Sequence, residues 1–83
     1  MNNTVLEQLV EEVNDAFFKK VVAQEKNGYL YLTDKRVDRY ETDLEVVTDS
    51  LVDVVDFIEQ EFNVDLNIVG ANYRTVAFKV YSY

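Results

Sequence analysis

Apolar residues recur at three- and four-residue steps near the start of the chain. Leu6, Leu9, Val10, Val13 and Phe17 share one helical face, and Glu7, Glu11, Glu12, Asn14 and Asp15 occupy the other. Thr4-Val5-Leu6-Glu7 has the spacing of a capping box, in which a hydroxyl and a carboxylate three residues on satisfy the first free N–H groups. The pattern predicts a helix from Thr4 to about Phe17 or Phe18, because continuing it would bring Lys20 onto the apolar face. The period then changes to two. Asn27-Gly28 separates Val21–Lys26 from Tyr29–Thr33, and Asn-Gly between alternating runs is a strong hairpin signal, since a type I′ turn needs positive φ at both central residues. Pairing across that turn sets Glu25 opposite Leu30 and Ala23 opposite Leu32. Val21, Ala23, Leu30 and Leu32 then share the core face, with Val22, Gln24, Tyr29 and Tyr31 on the other.

Asp34-Lys35-Arg36 reads as a charged turn. From about Tyr40 to Val47 the chain alternates again, with Tyr40, Thr42, Leu44 and Val46 on one side and Glu41, Asp43, Glu45 and Val47 on the other. Two readings compete. Thr42-x-x-Glu45 could cap a long helix whose apolar face is Leu44, Val47, Leu51, Val54, Ile58 and Phe62. The β-branched pair Val46-Val47 and the later caps Thr48, Asp49 and Ser50 favour a third strand with an acidic outer face, followed by a helix over Leu51 to Phe62. Leu51, Val54, Val55, Ile58 and Phe62 line the apolar side of that helix, opposite Asp49, Asp53, Asp56 and Gln60. Asp65 to Val69 reads as a strand and Gly70 to Tyr73 as a turn. Thr75 to Tyr83 is a last strand with Val76, Phe78 and Val80 inward and Ala77, Lys79, Tyr81 and Tyr83 outward. The expected fold is α+β, in the order αβββαββ. It is a two-layer sandwich in which an antiparallel sheet of about five strands carries two helices on one face, as a single domain over residues 1–83.

Composition narrows the chemistry. The 83 residues are 48% hydrophobic, too apolar for a disordered acidic tail despite a net charge of −8. Cysteine is absent, which excludes disulfides, thiolate metal sites and thiol catalysis. Histidine is absent too, removing the usual general base and the commonest metal ligand. Neither Ser50 nor Ser82 can have a histidine partner, and the two glycines form no phosphate-cradling loop. A non-enzyme is therefore expected, with no cofactor. Asp49, Asp53 and Asp56 share a helical face, but carboxylates on a straight helix do not converge as those of a wrapped calcium loop do, so no metal is expected. No apolar run approaches the ~18 residues of a membrane span. The start of the chain lacks a basic, apolar leader, and with no cysteine staple in so small a domain a cytoplasmic setting is expected.

The charge is unevenly divided. Residues 38–65 hold ten acids and a single base, Arg39, for a segment charge of −9, while the remainder of the chain carries +1. The helix bears Asp49, Asp53 and Asp56 in a row without basic partners at i±4, a small destabilisation that the sequence tolerates. One explanation is dispersal of a soluble protein. The other is a binding face on Glu41, Asp43, Glu45, Asp49, Asp53, Asp56 and Glu59, directed at a basic protein surface. In small size, acidity, lack of cysteine and carboxylate-lined surface, carried by the acids from Asp38 to Asp65, the chain resembles the phage and mobile-element inhibitors that imitate DNA. These include anti-restriction and anti-CRISPR proteins. The resemblance is compositional and covers about a third of the chain. It implies a host nuclease or nucleic-acid-binding effector as target, and host cytoplasm as setting if the chain is phage-encoded. A second candidate interface is the tyrosine face, Tyr29, Tyr31, Tyr81 and Tyr83, which suits homodimerisation or docking of a partner. Direct nucleic-acid binding there is disfavoured, because the surrounding acids repel phosphates.

Overall fold

The structure is a computed structural model that describes residues 3–82. In chain order its elements are α1 (Asn3–Ala16), β1 (Val21–Lys26), β2 (Tyr29–Asp34), α2 (Leu44–Ser50), α3 (Val52–Phe62), β3 (Val64–Asn72) and β4 (Thr75–Ser82). The strands form one antiparallel four-stranded sheet in the order β1-β2-β4-β3. Because β4 lies between them, β2 and β3 run parallel, and the α2–α3 segment is the crossover that connects them. One apolar layer joins Leu6, Leu9 and Val13 of α1 to Val47, Leu51, Val54 and Ile58 of the crossover. Against these pack the inward residues of the sheet, Val21, Ala23, Leu30, Leu32, Val64, Val76, Phe78 and Val80. Apart from Ala23, each such side chain contributes about 1.5–3 kcal/mol relative to exposure. Phe17 meets Phe57 edge to face at 5.5 Å and ties the end of α1 to α3.

The expected α+β class and the first hairpin are present. Asn27 and Gly28 have φ of 56° and 84°, and Glu25 pairs with Leu30 and Ala23 with Leu32. The first helix ends at Ala16, but it begins at Asn3, so Thr4 lies inside it rather than at an N-cap, a shift of the size helix ends commonly show.

Residues 40–47 are not a strand, and the sheet has four strands rather than about five among the described residues. Asp43, at φ −77° and ψ 106°, is the N-cap of α2, and its carboxylate accepts the Glu45 N–H at 3.0 Å. Helical spacing then buries Val47 with Leu51, Val54 and Ile58 while Leu44 and Val46 stay 43% exposed, so the alternation that suggested a strand does not coincide with burial. The expected two helices become three, with α2 and α3 following one course broken at Leu51. There the Leu51 N–H is shared between the carbonyls of Val47 (3.1 Å) and Thr48 (3.2 Å), a tighter turn than the α-helix on either side.

The last hairpin also differs. β3 runs to Asn72, and the turn is Tyr73-Arg74, with Tyr73 at φ 54°. Val69 is an extra residue bulged between Ile68 and Gly70, which breaks the alternation and made 70–73 read as a turn. In β4, Val76, Phe78 and Val80 face the helices as expected, while Tyr83 lies outside the described residues.

The inward alternation of β2 continues through Leu30 and Leu32 to Asp34, which is 0% exposed. Its Oδ1 accepts the Arg36 backbone N–H and Nε, both at 2.9 Å. Its Oδ2 accepts Arg36 Nη2 at 3.1 Å and the Ser50 hydroxyl. That set fills the roughly four acceptor positions of a carboxylate. Arg36 reaches onward to the Ser50 carbonyl at 2.8 Å and to both oxygens of Asp53 at 2.8 and 3.1 Å, clamping the α2–α3 junction to the end of β2. The charged turn expected at Asp34-Lys35-Arg36 is present at Lys35-Arg36 and also serves as an anchor, and Ser50 bonds to it instead of capping a helix. Arg36→Gln strands the buried carboxylate and is expected to lower the unfolding free energy by about 3–5 kcal/mol, measured by urea denaturation. Asp34→Leu with Arg36→Met removes both charges and should recover most of that loss. A double variant no more stable than Arg36→Gln would count against a stranded charge as the cause.

Candidate functional site

The acids singled out in the sequence fall into two groups. Glu41, Asp43, Asp53 and Glu59 make bonds within the chain, local for the first two and tertiary for the last two. Glu41 accepts from the N–H groups of Thr42 (3.1 Å) and Asp43 (3.3 Å), and Asp43 caps α2. Asp53 is the ion-pair partner of Arg36, and Glu59 accepts from the Leu66 N–H at 3.2 Å. Glu41 and Asp43 lie in the loop and at the helix cap rather than on the outer face of a strand, and Glu45 lies in the first turn of α2.

The carboxylates of Glu45, Asp49 and Asp56 form the second group, exposed and without a hydrogen-bond or ion-pair partner among the described residues. At 100° per residue they fall on one stripe of the α2–α3 course with Asp53. The axial gaps are about 6 Å from Glu45 to Asp49 and about 10 Å from Asp49 to Asp56. The row read in the sequence is interrupted, by the break at Leu51 and by Arg36, which pairs with its middle member Asp53. That partner stands 17 residues before Asp53, outside the i±4 window in which helix charges are read.

The electrostatics follow the geometry. Burial pushes the Asp34 carboxyl up, but hydrogen bonds from Arg36 and Ser50 outweigh it and hold the pKa below the ordinary aspartate value. Asp53 is also lowered, first by its hydrogen bond from Arg36, against a smaller opposing effect of burial. The Arg36 guanidinium is raised in turn by its bonds to Asp53 and Asp34.

Of the tyrosines, Tyr29 and Tyr31 come together on the sheet face away from the helices. They line a shallow concavity of about 380 Å³ with Val69, Gly70, Thr75 and Ala77. Tyr81 is on the same face by strand alternation but lies outside that concavity, beside the Lys79 ammonium at 5.2 Å. Among the described residues no three acids converge closely enough to hold a metal ion, and no helix is long and apolar enough to cross a membrane. The geometry defines a two-layer α+β protein with exposed carboxylates on the helical layer and an uncovered sheet face on the opposite side. No protein-family model, curated protein or solved structure matches the chain.

Both lowered aspartates bear on acid stability. A folded-state pKa below the unfolded value of about 3.9 contributes stability that is fully present above that value and lost as pH falls through the lower native one. Urea midpoints should therefore drop as pH falls below about 4, and the drop should be smaller in Arg36→Gln, where Arg36 no longer favours the charged carboxylates. An equal acid loss in the two proteins would contradict the assignment.

Proposed function

We propose that this is a non-catalytic binding protein that lays the α2–α3 stripe against the basic site of a nucleic-acid-binding enzyme or effector, and so inhibits it. The observation that carries the reading is the set of exposed carboxylates on Glu45, Asp49 and Asp56, which have no hydrogen-bond or ion-pair partner among the described residues. They sit in the segment that holds the excess negative charge of the chain. A solubilising surface has no need to be concentrated in one segment. The Arg36 clamp also supports the reading, because a stripe fixed to the sheet loses little freedom on association. Long-range attraction to a basic cleft speeds encounter, and added salt weakens it.

The stripe is tested with Glu45→Lys, Asp49→Lys and Asp56→Lys combined, leaving Asp53 untouched because its loss would disturb the anchor. Wild-type protein immobilised in host lysate should retain a nucleic-acid-binding enzyme at low salt and release it at high salt, and it should block that enzyme's DNA binding. The triple variant, folded by circular dichroism, should retain none. Equal retention by both would remove the stripe from the interface.

A second reading is homodimerisation through the sheet face, favoured by the concavity at Tyr29 and Tyr31 that no helix covers. It predicts a dimeric wild type and a monomeric Tyr29→Ala/Tyr31→Ala variant by light scattering. A monomeric wild type rules it out.

A further inference from the structure

The sheet has two edges, and the chain treats them differently. On β1, the pairs alternate outward from the hairpin turn, so the backbone groups of Val21 and Ala23 face away from β2. Both are occupied. The Asn14 side chain accepts the Ala23 N–H at 2.8 Å and donates to the Ala23 carbonyl at 3.0 Å, the two bonds a neighbouring strand would make. The Val21 N–H goes to the Phe17 carbonyl at 3.0 Å. At these two residues α1 and its following turn cover the edge, while the outward groups of Glu25, next to the hairpin turn, carry no hydrogen bond among the described residues.

On β3 the same alternation, counted from the Tyr73-Arg74 turn and shifted by the bulge at Val69, turns the backbone groups of Leu66, Ile68 and Ala71 outward. The Leu66 N–H is held by Glu59, whereas the outward groups of Ile68 carry no hydrogen bond among the described residues. β3 runs for nine residues and has neither proline nor lysine, the residues that commonly blunt an edge. Above it lies an apolar groove of about 220 Å³ lined by Leu51, Val52, Val55, Leu66, Ile68 and Phe78. Val52 and Ile68 are 51% and 47% exposed there. The rim is acidic, with Asp56 lining the groove and Glu59 at the Leu66 N–H, and no base lines it.

We propose that the β3 edge and this groove receive an extended basic segment of a partner protein, which adds as a further strand. Its apolar side chains would enter the groove, and its lysines or arginines would meet Asp56 and Glu59. Main-chain bonds to Ile68 supply affinity, and alternate side chains supply selection. Charge decides the occupant: a second copy joined edge to edge would set Asp56 and Glu59 against their own counterparts, in a chain of net charge −8. The proposal rests on the acidic-interface reading above, because Asp56 belongs to both the stripe and the groove.

The probe is a short acetylated peptide alternating valine and lysine, titrated into the full ¹⁵N-labelled chain, with an alternating valine–glutamate peptide as control. The lysine peptide should shift the Ile68 and Ala71 amides and slow Ile68 hydrogen exchange at least about tenfold. The glutamate peptide should do neither. Val52→Lys places a like charge in the groove, and Ile68→Pro removes an outward N–H without touching the ladder to β4. Each should weaken the peptide at least about tenfold while the circular dichroism stays that of the wild type. Should Ile68→Pro unfold the chain, Val52→Lys alone decides. Shifts confined to Glu45 and Asp49 would overturn the edge proposal and leave the stripe reading standing. Edge shifts that persist in Glu45→Lys/Asp49→Lys, when that variant no longer retains a partner, keep the two separable. Equal binding of both peptides, or concentration-dependent protection of Ile68 without peptide, would overturn it.

Discussion

A carboxylate sealed between a sheet and its helices keeps its charge only with a full set of donors, and the inward face of β2 ends in such a group. Asp34 is satisfied by Arg36 through backbone and side chain and by the Ser50 hydroxyl. Two of its neighbours in the fold depend on that arrangement. The loop between β2 and α2 starts from Arg36, and the α2–α3 junction is gripped at the Ser50 carbonyl and at Asp53. A side chain placed against the helix ladder is a recognised cause of a break in a helix, and the break here is at Leu51, the next residue. Buried ion pairs rarely add net stability over apolar packing, but they define one arrangement, because the alternatives leave a charge stranded. Here that arrangement is the angle at which α2 and α3 cross the sheet.

The same loop is held along its course as well. Val37 packs against the core, Arg74 reaches the Val37 carbonyl at 3.5 Å, and Tyr40 meets Tyr73 edge to face at 6.2 Å. Residues that looked like a free acidic strand are thus a tethered connection, with Asp38, Glu41 and Asp43 each accepting nearby backbone N–H groups. What is left exposed is narrower than the charge of the segment: the carboxylates of Glu45, Asp49 and Asp56, without partners among the described residues, the last of them lining an apolar groove at the β3 edge. Uncompensated acids beside uncovered apolar surface resemble the arrangement of an interface, polar at the rim and apolar within.

Local signals in the sequence were legible. The Asn-Gly turn gave the first hairpin with its register, the α1 stripe gave Leu6, Leu9 and Val13, and the alternation of β4 gave Val76, Phe78 and Val80. Long-range features were not. The run Tyr40–Val47 satisfies periods of two and of 3.6 at once, and only the tertiary burial of Val47, with Val46 left outside, separates them. A bulge adds a residue without changing composition, so the extent of β3 was hidden. Asp34 could have been found. It stands on the Leu30–Leu32 face by simple alternation, and a charged residue in that position demands a partner. Its partner Arg36 was two residues away, but the second carboxylate on that guanidinium, Asp53, required the fold. That is why Asp53 was read as a free member of the stripe.

Asp34 stays ionised in the interior because Arg36 holds it so, and this bond fixes the junction of the helices that carry Glu45, Asp49 and Asp56. A carboxyl ¹³C titration by NMR addresses it directly. In the wild type, Asp34 should titrate below the ordinary aspartate value, and in Arg36→Gln its midpoint should move upward, with loss of the native shifts of Ser50 and Asp53. An Asp34 that titrates at the ordinary value and ignores the substitution would contradict the account.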